Sequence, residues 1–464
     1  MSLWNDPIVE HPLEETPAGA RNRVVPVSQT PGATFVPGES AGTSRPIPLL
    51  LMEEMTSEEN YPAVWRKFRR KDTSPGIDGM TVEALGEHLK TEWPPLREQL
   101  LQGKYRPQAL KRKRISKPGG GERELGIPTM VDRFVQALMV RVLTKYWDAT
   151  FSESSYGFRP NRSQHQAVAS AQRLLESGRR WVVDLDLEKF FDRINHDRLL
   201  AHLAKRVMDK RVLKLIRLFV TAGAMENGVT EANEEGAPQG GPLSPFLSNV
   251  VLDELDRELE KRNLPFVRYA DDCNIYVKSR RAGERVMQSV TRFVEKQLRL
   301  KVNRQKSAVS QPWKRKLLGF SFTSNLKEPK RRIATESLKK FKRQIRQRTK
   351  RTRNQSLQQL IEEGLTPYLR GWRSYFGFSQ TPSVLKDLDS WVRRRLRSWL
   401  WKQWENGRRR FGQLVQRGTP VKLASWFTKQ NRGPWPSGND RLMAYALPPR
   451  WFSQQGLFCL EQGK

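Results

Sequence analysis

Two short runs limit what this chain can become. In "RWVVDLDLEKFFDRINHD", Val183, Leu185 and Leu187 alternate with Asp184 and Asp186. In "FVRYADDCNIYVKS", the adjacent Asp271 and Asp272 stand between two stretches rich in apolar and β-branched residues. Successive side chains of a strand point to opposite faces, so the first run offers an apolar face to a core and its carboxylates to a cleft. The second run reads as a hairpin with the Asp pair at or near its turn. Like charges placed side by side between strands cost repulsion and desolvation. A positive partner has to offset that cost.

Composition narrows the partners. The chain has 464 residues and 83 Lys plus Arg against 49 Asp plus Glu, a formal net charge of +34. Such an excess predicts an extended polyanion, and nucleic acid is the usual one. Two cysteines, Cys273 and Cys459, exclude a disulfide scaffold and a four-cysteine zinc module. Five scattered His without an HExxH pattern argue against a His-based metal site. No long apolar run is available to span a membrane. The acidic Asp6, Glu10, Glu14 and Glu15 argue against a transit peptide, so a cytoplasmic setting is expected.

The chain divides by character. Residues 1–50 hold Pro7, Pro12, Pro17, Pro26, Pro31, Pro37, Pro46 and Pro48 and no Lys, and read as a flexible tail. Helical and strand-like patterns alternate over 51–330, which predicts a mixed α/β (α+β) body. Residues 331–410 read as long basic helices, with 22 Lys plus Arg against 6 acidic residues, hence +16. Residues 411–464 read as a small, basic, aromatic module for binding DNA or RNA. Within the basic helices, Val384, Leu385, Leu388, Trp391, Val392, Leu396, Trp399 and Leu400 recur at helical spacing. That face reads as core, with Arg393, Arg394 and Arg397 left for phosphates.

Bringing Asp186 beside Asp271 and Asp272 would make a three-carboxylate cluster suited to hard divalent cations, with Mg²⁺ preferred and Mn²⁺ a substitute. Two such ions about 4 Å apart can activate a 3′-hydroxyl and stabilise a leaving pyrophosphate. An isolated Asp pair ordinarily caps a helix or sits in a turn. Its specificity here comes from the surrounding motifs.

Tyr269-Ala270-Asp271-Asp272 resembles the YxDD signature of reverse transcriptases, in the YADD form of group II intron-encoded proteins. "PGIDGMTVEAL", "SKPGGGERELGIPTMVDRFVQ", "SYGFRPNRSQHQAV", "EGAPQGGPLSPFLSNVVLDELD", "LKVNRQKS", "LLGFSF" and "YLRGWRSYFGFS" are similar to that family's blocks, in the same order. The resemblance implies a right-hand polymerase, with fingers and a mixed-sheet palm over 51–330 and a helical thumb or maturase domain over 331–410. It implies template-directed DNA synthesis on RNA from dNTPs, a DNA primer or target, and binding and splicing of an intron RNA in support of intron mobility. Asp186, Asp271 and Asp272 match the metal-binding carboxylates, with the Leu187 carbonyl a further ligand. Phe191 matches the residue that screens the sugar 2′ position. Lys117 and Arg123 match finger contacts to the triphosphate. Gln239 matches a residue packed near the nucleotide, and Lys306 a lysine of the later block. Asp184, Asp192 and Asp197 read as structural: a neighbour, a turn and a helix cap. No cysteine-rich endonuclease domain follows, so second-strand cleavage is not expected. A free-standing relative serving repair or defence, and a splicing cofactor without polymerase activity, remain the alternative readings.

Overall fold

A computed structural model describes residues 47, 49–70, 74–116, 122–226, 229–231, 235–325, 327–350, 355–430 and 432–463. The proline-rich tail, apart from its last few residues, and Lys117 lie outside the described residues. The strands are β1 (Leu110–Ser116), β2 (Glu122–Ile127), β3 (Trp181–Leu185), β4 (Ala224–Glu226), β5 (Val229–Glu231), β6 (Phe266–Tyr269), β7 (Asp272–Val277), β8 (Ala308–Ser310), β9 (Phe320–Phe322) and β10 (Arg331–Ile333). Two compact units divide at Arg315 and Lys316.

In the first unit, β2-β1-β4-β5 form one sheet, and β6-β7-β3-β8 form another. The first sheet is mixed: β1 pairs antiparallel with β2 and parallel with β4. The second, which carries the acidic motifs, is antiparallel throughout. Mixed pairing therefore belongs to the sheet of the β1–β2 hairpin, not to the sheet of the carboxylates. Strands joined by a two-residue turn, as β6 and β7 are, can only run antiparallel.

Apolar packing fixes the second sheet from behind. Ser279 caps the helix Arg280–Lys296 through the Ala282 N–H at 3.2 Å. That helix lies on β3, β7 and β8. Gly283 permits the approach, because a Cβ there would stand 2.5 Å from Val309 Cγ1. Val183, Leu185, Cys273 and Ile275 join the same continuous core. The helices Met130–Trp147 and Leu243–Lys261 pack together, with Trp147 edge-on to Phe246 at 5.9 Å. Phe134 collects the rings of Tyr61, Trp65, Phe68 and Trp93 around it.

The second unit pairs β9 with β10 and is otherwise helical, with longest helices Thr335–Arg348, Thr366–Phe376 and Ser383–Gln403. Phe341, Trp372 and Phe376 stack at its centre, with Trp372 4.6 Å from Phe341 and 4.7 Å from Phe376. Trp399 and Trp401 are buried, as the core reading of the tryptophan stripe expects. Arg397 departs from expectation. It is buried and donates to the Leu447 carbonyl at 2.8 and 3.1 Å, so it is not available to phosphates. No helix among the described residues is long and apolar enough to cross a membrane.

Candidate active site

The acidic hairpin closes as the sequence predicts. Tyr269 of β6 pairs with Asp272 of β7, leaving Ala270 and Asp271 as the two-residue turn. Ala270 takes a positive φ of 54°, which a non-glycine residue adopts only when its surroundings hold it there. Gly157 lies directly against it: a Cβ on Gly157 would stand 2.3 Å from the Ala270 nitrogen. The "SYGFRP" glycine is thus required by close approach to the turn.

Strand register carries Asp186 to the same place. Leu185, the last residue of β3, pairs with Cys273 of β7, so Asp186 follows level with Asp272. The Asp186 N–H donates to Ser307 Oγ at 3.0 Å, and its carbonyl accepts from the Asn303 N–H at 2.9 Å. Leu187 bridges to Val302 and is buried. Lys306 belongs to the same turn, and its N–H donates to Asn303 Oδ1 at 3.2 Å.

The carboxylates influence one another. Desolvation raises the pKa of Asp186, with Asp271 and Asp184 adding to the rise and the Lys306 ammonium opposing it. Asp272, the first residue of β7, is exposed to solvent. Desolvation, then the charge of Asp271, push it up to about 7. Both shifts mark a place short of positive charge. Among the described residues, no three carboxylates, histidines or cysteines converge tightly enough to enclose an ion by themselves. Mg²⁺ ordinarily keeps several waters and takes one or two carboxylates together with substrate phosphates. The oxygen-only donors Asp186, Asp271 and Asp272 suit the same ion. Burial pushes the Cys273 thiol far up, leaving an inert neighbour.

The other expected residues are distributed as follows. Phe191 lies in the short 3-10 turn Phe190–Arg193, 8% exposed, with its ring 5.2 Å from that of Phe190. Its carbonyl accepts from the Ala237 N–H at 2.7 Å, so the "APQGG" loop rests on it. Gln239 donates to Asp192 Oδ1 at 3.3 Å, which joins the two loops. Arg123 sits on β2 opposite Ile115. Asp184 is held by Arg315 at 2.5 Å and by the Asn274 amide at 2.9 Å, as suits a structural neighbour. Asp197 is not the cap expected of it: Asn195 accepts from the Arg198 N–H at 2.9 Å and caps that helix, with Asp197 in its first turn.

Sequence reading missed Arg268. It is wholly buried on β6 and paired with Asp256 of the helix Leu243–Lys261 at 2.5 Å. Burial pulls its basicity down and Asp256 more than reverses this, so the guanidinium stays charged. A charge in a strand ordinarily faces water, and its partner lies twelve residues upstream on another element. The one available signal was its place two residues before Ala270.

Comparison with known proteins finds two domain matches in the chain. Residues 115–322 match the model of the reverse transcriptase (RNA-dependent DNA polymerase) domain. Residues 338–418 match the group II intron, maturase-specific domain. Protein YkfC of Escherichia coli is 33% identical over 274 residues, covering 51% of this chain and 72% of its own. The chain belongs to the reverse transcriptases of the group II intron type. The group II intron-encoded protein LtrA of Lactococcus lactis is 36% identical over 198 residues, covering 42% of this chain. The Putative COX1/OXI3 intron 1 protein of Saccharomyces cerevisiae is 30% identical over 224 residues. This reverse transcriptase spans 31% of the length of LtrA and 27% of the yeast protein. A solved chain of the Partial Cas6-RT-Cas1--Cas2 complex is 25% identical and covers 53% of this chain and 42% of its own. At a TM-score of 0.34 that likeness is too loose to position a residue. Both domain matches support RNA-directed DNA polymerase activity together with maturase function.

Proposed function

We propose that Asp186, Asp271 and Asp272 hold the divalent cations of a two-metal nucleotidyl transfer, by which a DNA primer is extended with dNTPs on an RNA template. The observation that carries this reading is the register of β3 on β7, which sets Asp186 level with Asp272 and next to the turn residue Asp271. The carboxylates hold the ions, and the Leu187 carbonyl is available as a further oxygen. When bound, Mg²⁺, or Mn²⁺ in its place, supplies Lewis-acid activation of the primer 3′-hydroxyl and charge stabilisation of the leaving pyrophosphate. Lys306 places a cation beside Asp186 and favours its ionised form. Phe191 and the Gln239 loop form the floor on which the nucleotide sugar rests. The ring offers a ribose 2′-hydroxyl overlap and no hydrogen bond. Arg123 of β2, together with Lys117, closes on the triphosphate as flexible cations do.

The basic unit serves the second role. In this reading, fingers and palm occupy 51–330, the thumb or maturase segment 331–410, and a nucleic-acid-binding module 411–464. Thr335–Arg348 carries Lys339, Lys340, Lys342, Arg343 and Arg346 over a core face of Phe341 and Ile345. Such a surface binds intron RNA through its phosphates, with strong dependence on salt. Primer extension on an RNA template, with purified protein, Mg²⁺ and dNTPs, tests the reading directly. DNA product from wild type and none from Asp271→Asn is the expected result. Extension by Asp271→Asn at near the wild-type rate would sink the metal assignment.

A further inference from the structure

The guanidinium of Arg268 has five N–H donors, and each finds an acceptor inside the protein. Nε donates to Asp256 Oδ1 at 2.7 Å, and Nη2 donates to Asp256 Oδ2 at 2.5 Å and to Ser155 Oγ at 2.8 Å. Nη1 donates to Asn249 Oδ1 at 3.0 Å and to the Ala270 carbonyl, also at 3.0 Å. The backbone of Arg268 is tied as well. Its N–H donates to the Ser154 carbonyl and its carbonyl accepts from the Tyr156 N–H, both at 2.9 Å. The Asn249 amide reaches on to the Gly157 carbonyl at 2.8 Å. Gly157 in turn lies against Ala270.

These bonds form a closed circuit through three segments: the helix Leu243–Lys261, the loop 152–158, and the turn of the acidic hairpin. The turn is the part with most need of such support. Ala270 holds a left-handed backbone conformation that is unfavourable for any residue with a Cβ. Asp271 follows immediately, so any relaxation of Ala270 re-aims its carboxylate. A buried ion pair adds little net stability, because desolvation consumes most of its Coulombic gain. Holding a geometry is the use such a pair serves best here.

We infer that Arg268, with Asp256, Asn249 and Gly157, is a positioning device that locks the Ala270 turn and so aims Asp271 and Asp272 at their cations. This rests on the reading that those carboxylates hold metal. Arg268 touches neither substrate nor ion and acts through the turn alone. Arg268→Lys keeps the charge but cannot reproduce five fixed bonds. Replacing a buried pair with apolar residues of similar size commonly preserves the fold, so Arg268→Met with Asp256→Leu removes the Ala270 bond without orphaning a charge. Asn249→Ala leaves the ion pair in place and cuts the bond from Arg268 Nη1 together with the link to the Gly157 carbonyl.

The test compares these three variants and Asp271→Asn in the full-length protein. It reads thermal melting, Mn²⁺ affinity by electron paramagnetic resonance without substrate, and single-turnover extension. The expected result is cooperative melting with Mn²⁺ affinity weakened at least fivefold in Arg268→Lys and in the double variant. Extension falls at least tenfold in both, and Asn249→Ala moves the same way by a smaller factor. Wild-type Mn²⁺ affinity and extension in those variants that fold would overturn the positioning role and leave a merely structural one. Loss of folding in the double variant, with unchanged Mn²⁺ affinity in Arg268→Lys and Asn249→Ala, would overturn it equally. Retained Mn²⁺ binding and extension in Asp271→Asn would instead remove the metal reading itself, whatever the Arg268 variants do.

Discussion

Arg268 of the sheet unit and Arg397 of the helical unit are both buried, but they are held in opposite ways. Arg268, behind the acidic hairpin, meets a carboxylate, an amide, a hydroxyl and a carbonyl in fixed directions. Arg397, in the helix Ser383–Gln403, has the Leu447 carbonyl and the face of Phe452 at 5.8 Å. Burial draws its pKa down to about 10. Its neighbours follow suit: Arg394 lies 3.8 Å over Trp435, and Arg417 lies over both Trp404 and Trp451. Carboxylates supply direction at close range. Aromatic faces supply attraction with looser geometry. A unit that aims two aspartates needs the first. On the proposed reading, a unit that presents a field of cations to phosphates is served by the second.

The sharpest way to break this contrast is to remove a charge whose direction matters. Asp186→Asn and Asp271→Asn are each expected to lower primer extension by at least about 10³-fold, equivalent to about 4 kcal/mol of transition-state stabilisation. RNA affinity, measured by filter binding, should change less than about twofold, because the phosphate-binding surface is untouched. A parallel collapse of RNA binding would show that the two units are not separable in function.

Next comes the cationic field. Neutralising Lys339, Lys340, Lys342 and Arg343 together should weaken RNA binding about 10–100-fold at moderate salt and flatten the log–log salt dependence by about 2–3 units. The loss should be similar across RNA sequences. An unchanged slope would mark the helix as an ordinary solvated face.

Phe191→Ala addresses the sheet unit at finer scale. Its burial predicts a stability loss of about 3 kcal/mol in thermal or denaturant melts. Loss of the ring is also expected to raise ribonucleotide over deoxyribonucleotide incorporation about tenfold or more. Destabilisation with an unchanged ratio would assign the ring to the core alone.

The smallest effect expected is on the pH dependence of stability. Asp253 is packed near Asp256, with Arg257 3.6 Å away. Desolvation raises its pKa to about 6, against an ordinary 3.8. The folded state therefore binds this proton more tightly than the unfolded one. Below about pH 4 the carboxyl is protonated in both states and costs nothing, and stability falls as pH rises from about 4 to about 6. Asp253→Asn should remove that slope, gaining on the order of 1–3 kcal/mol relative to wild type at pH 7 compared with pH 4. Denaturant midpoints at the two pH values provide the measurement, and parallel curves would count against the shift.

What the sequence determined by itself was whatever depends on neighbours along the chain. Alternation in "WVVDLDL" and the two-residue break in "RYADDC" specify a strand and a hairpin, because period and turn length are local. The three aspartates, the core role of Trp399 and the basic character of Thr335–Arg348 were legible for the same reason. Only the tertiary structure decided what depends on partners far apart in sequence. It set Asp186 level with Asp272 through pairing of β3 with β7, turned Arg397 inward, and gave the cap to Asn195. It also closed the circuit through Arg268, whose acceptors come from the helix Leu243–Lys261 and the loop 152–158. The physical reason is desolvation. A charge shows in the sequence as a charge, but whether water or protein surrounds it is settled only when the elements pack.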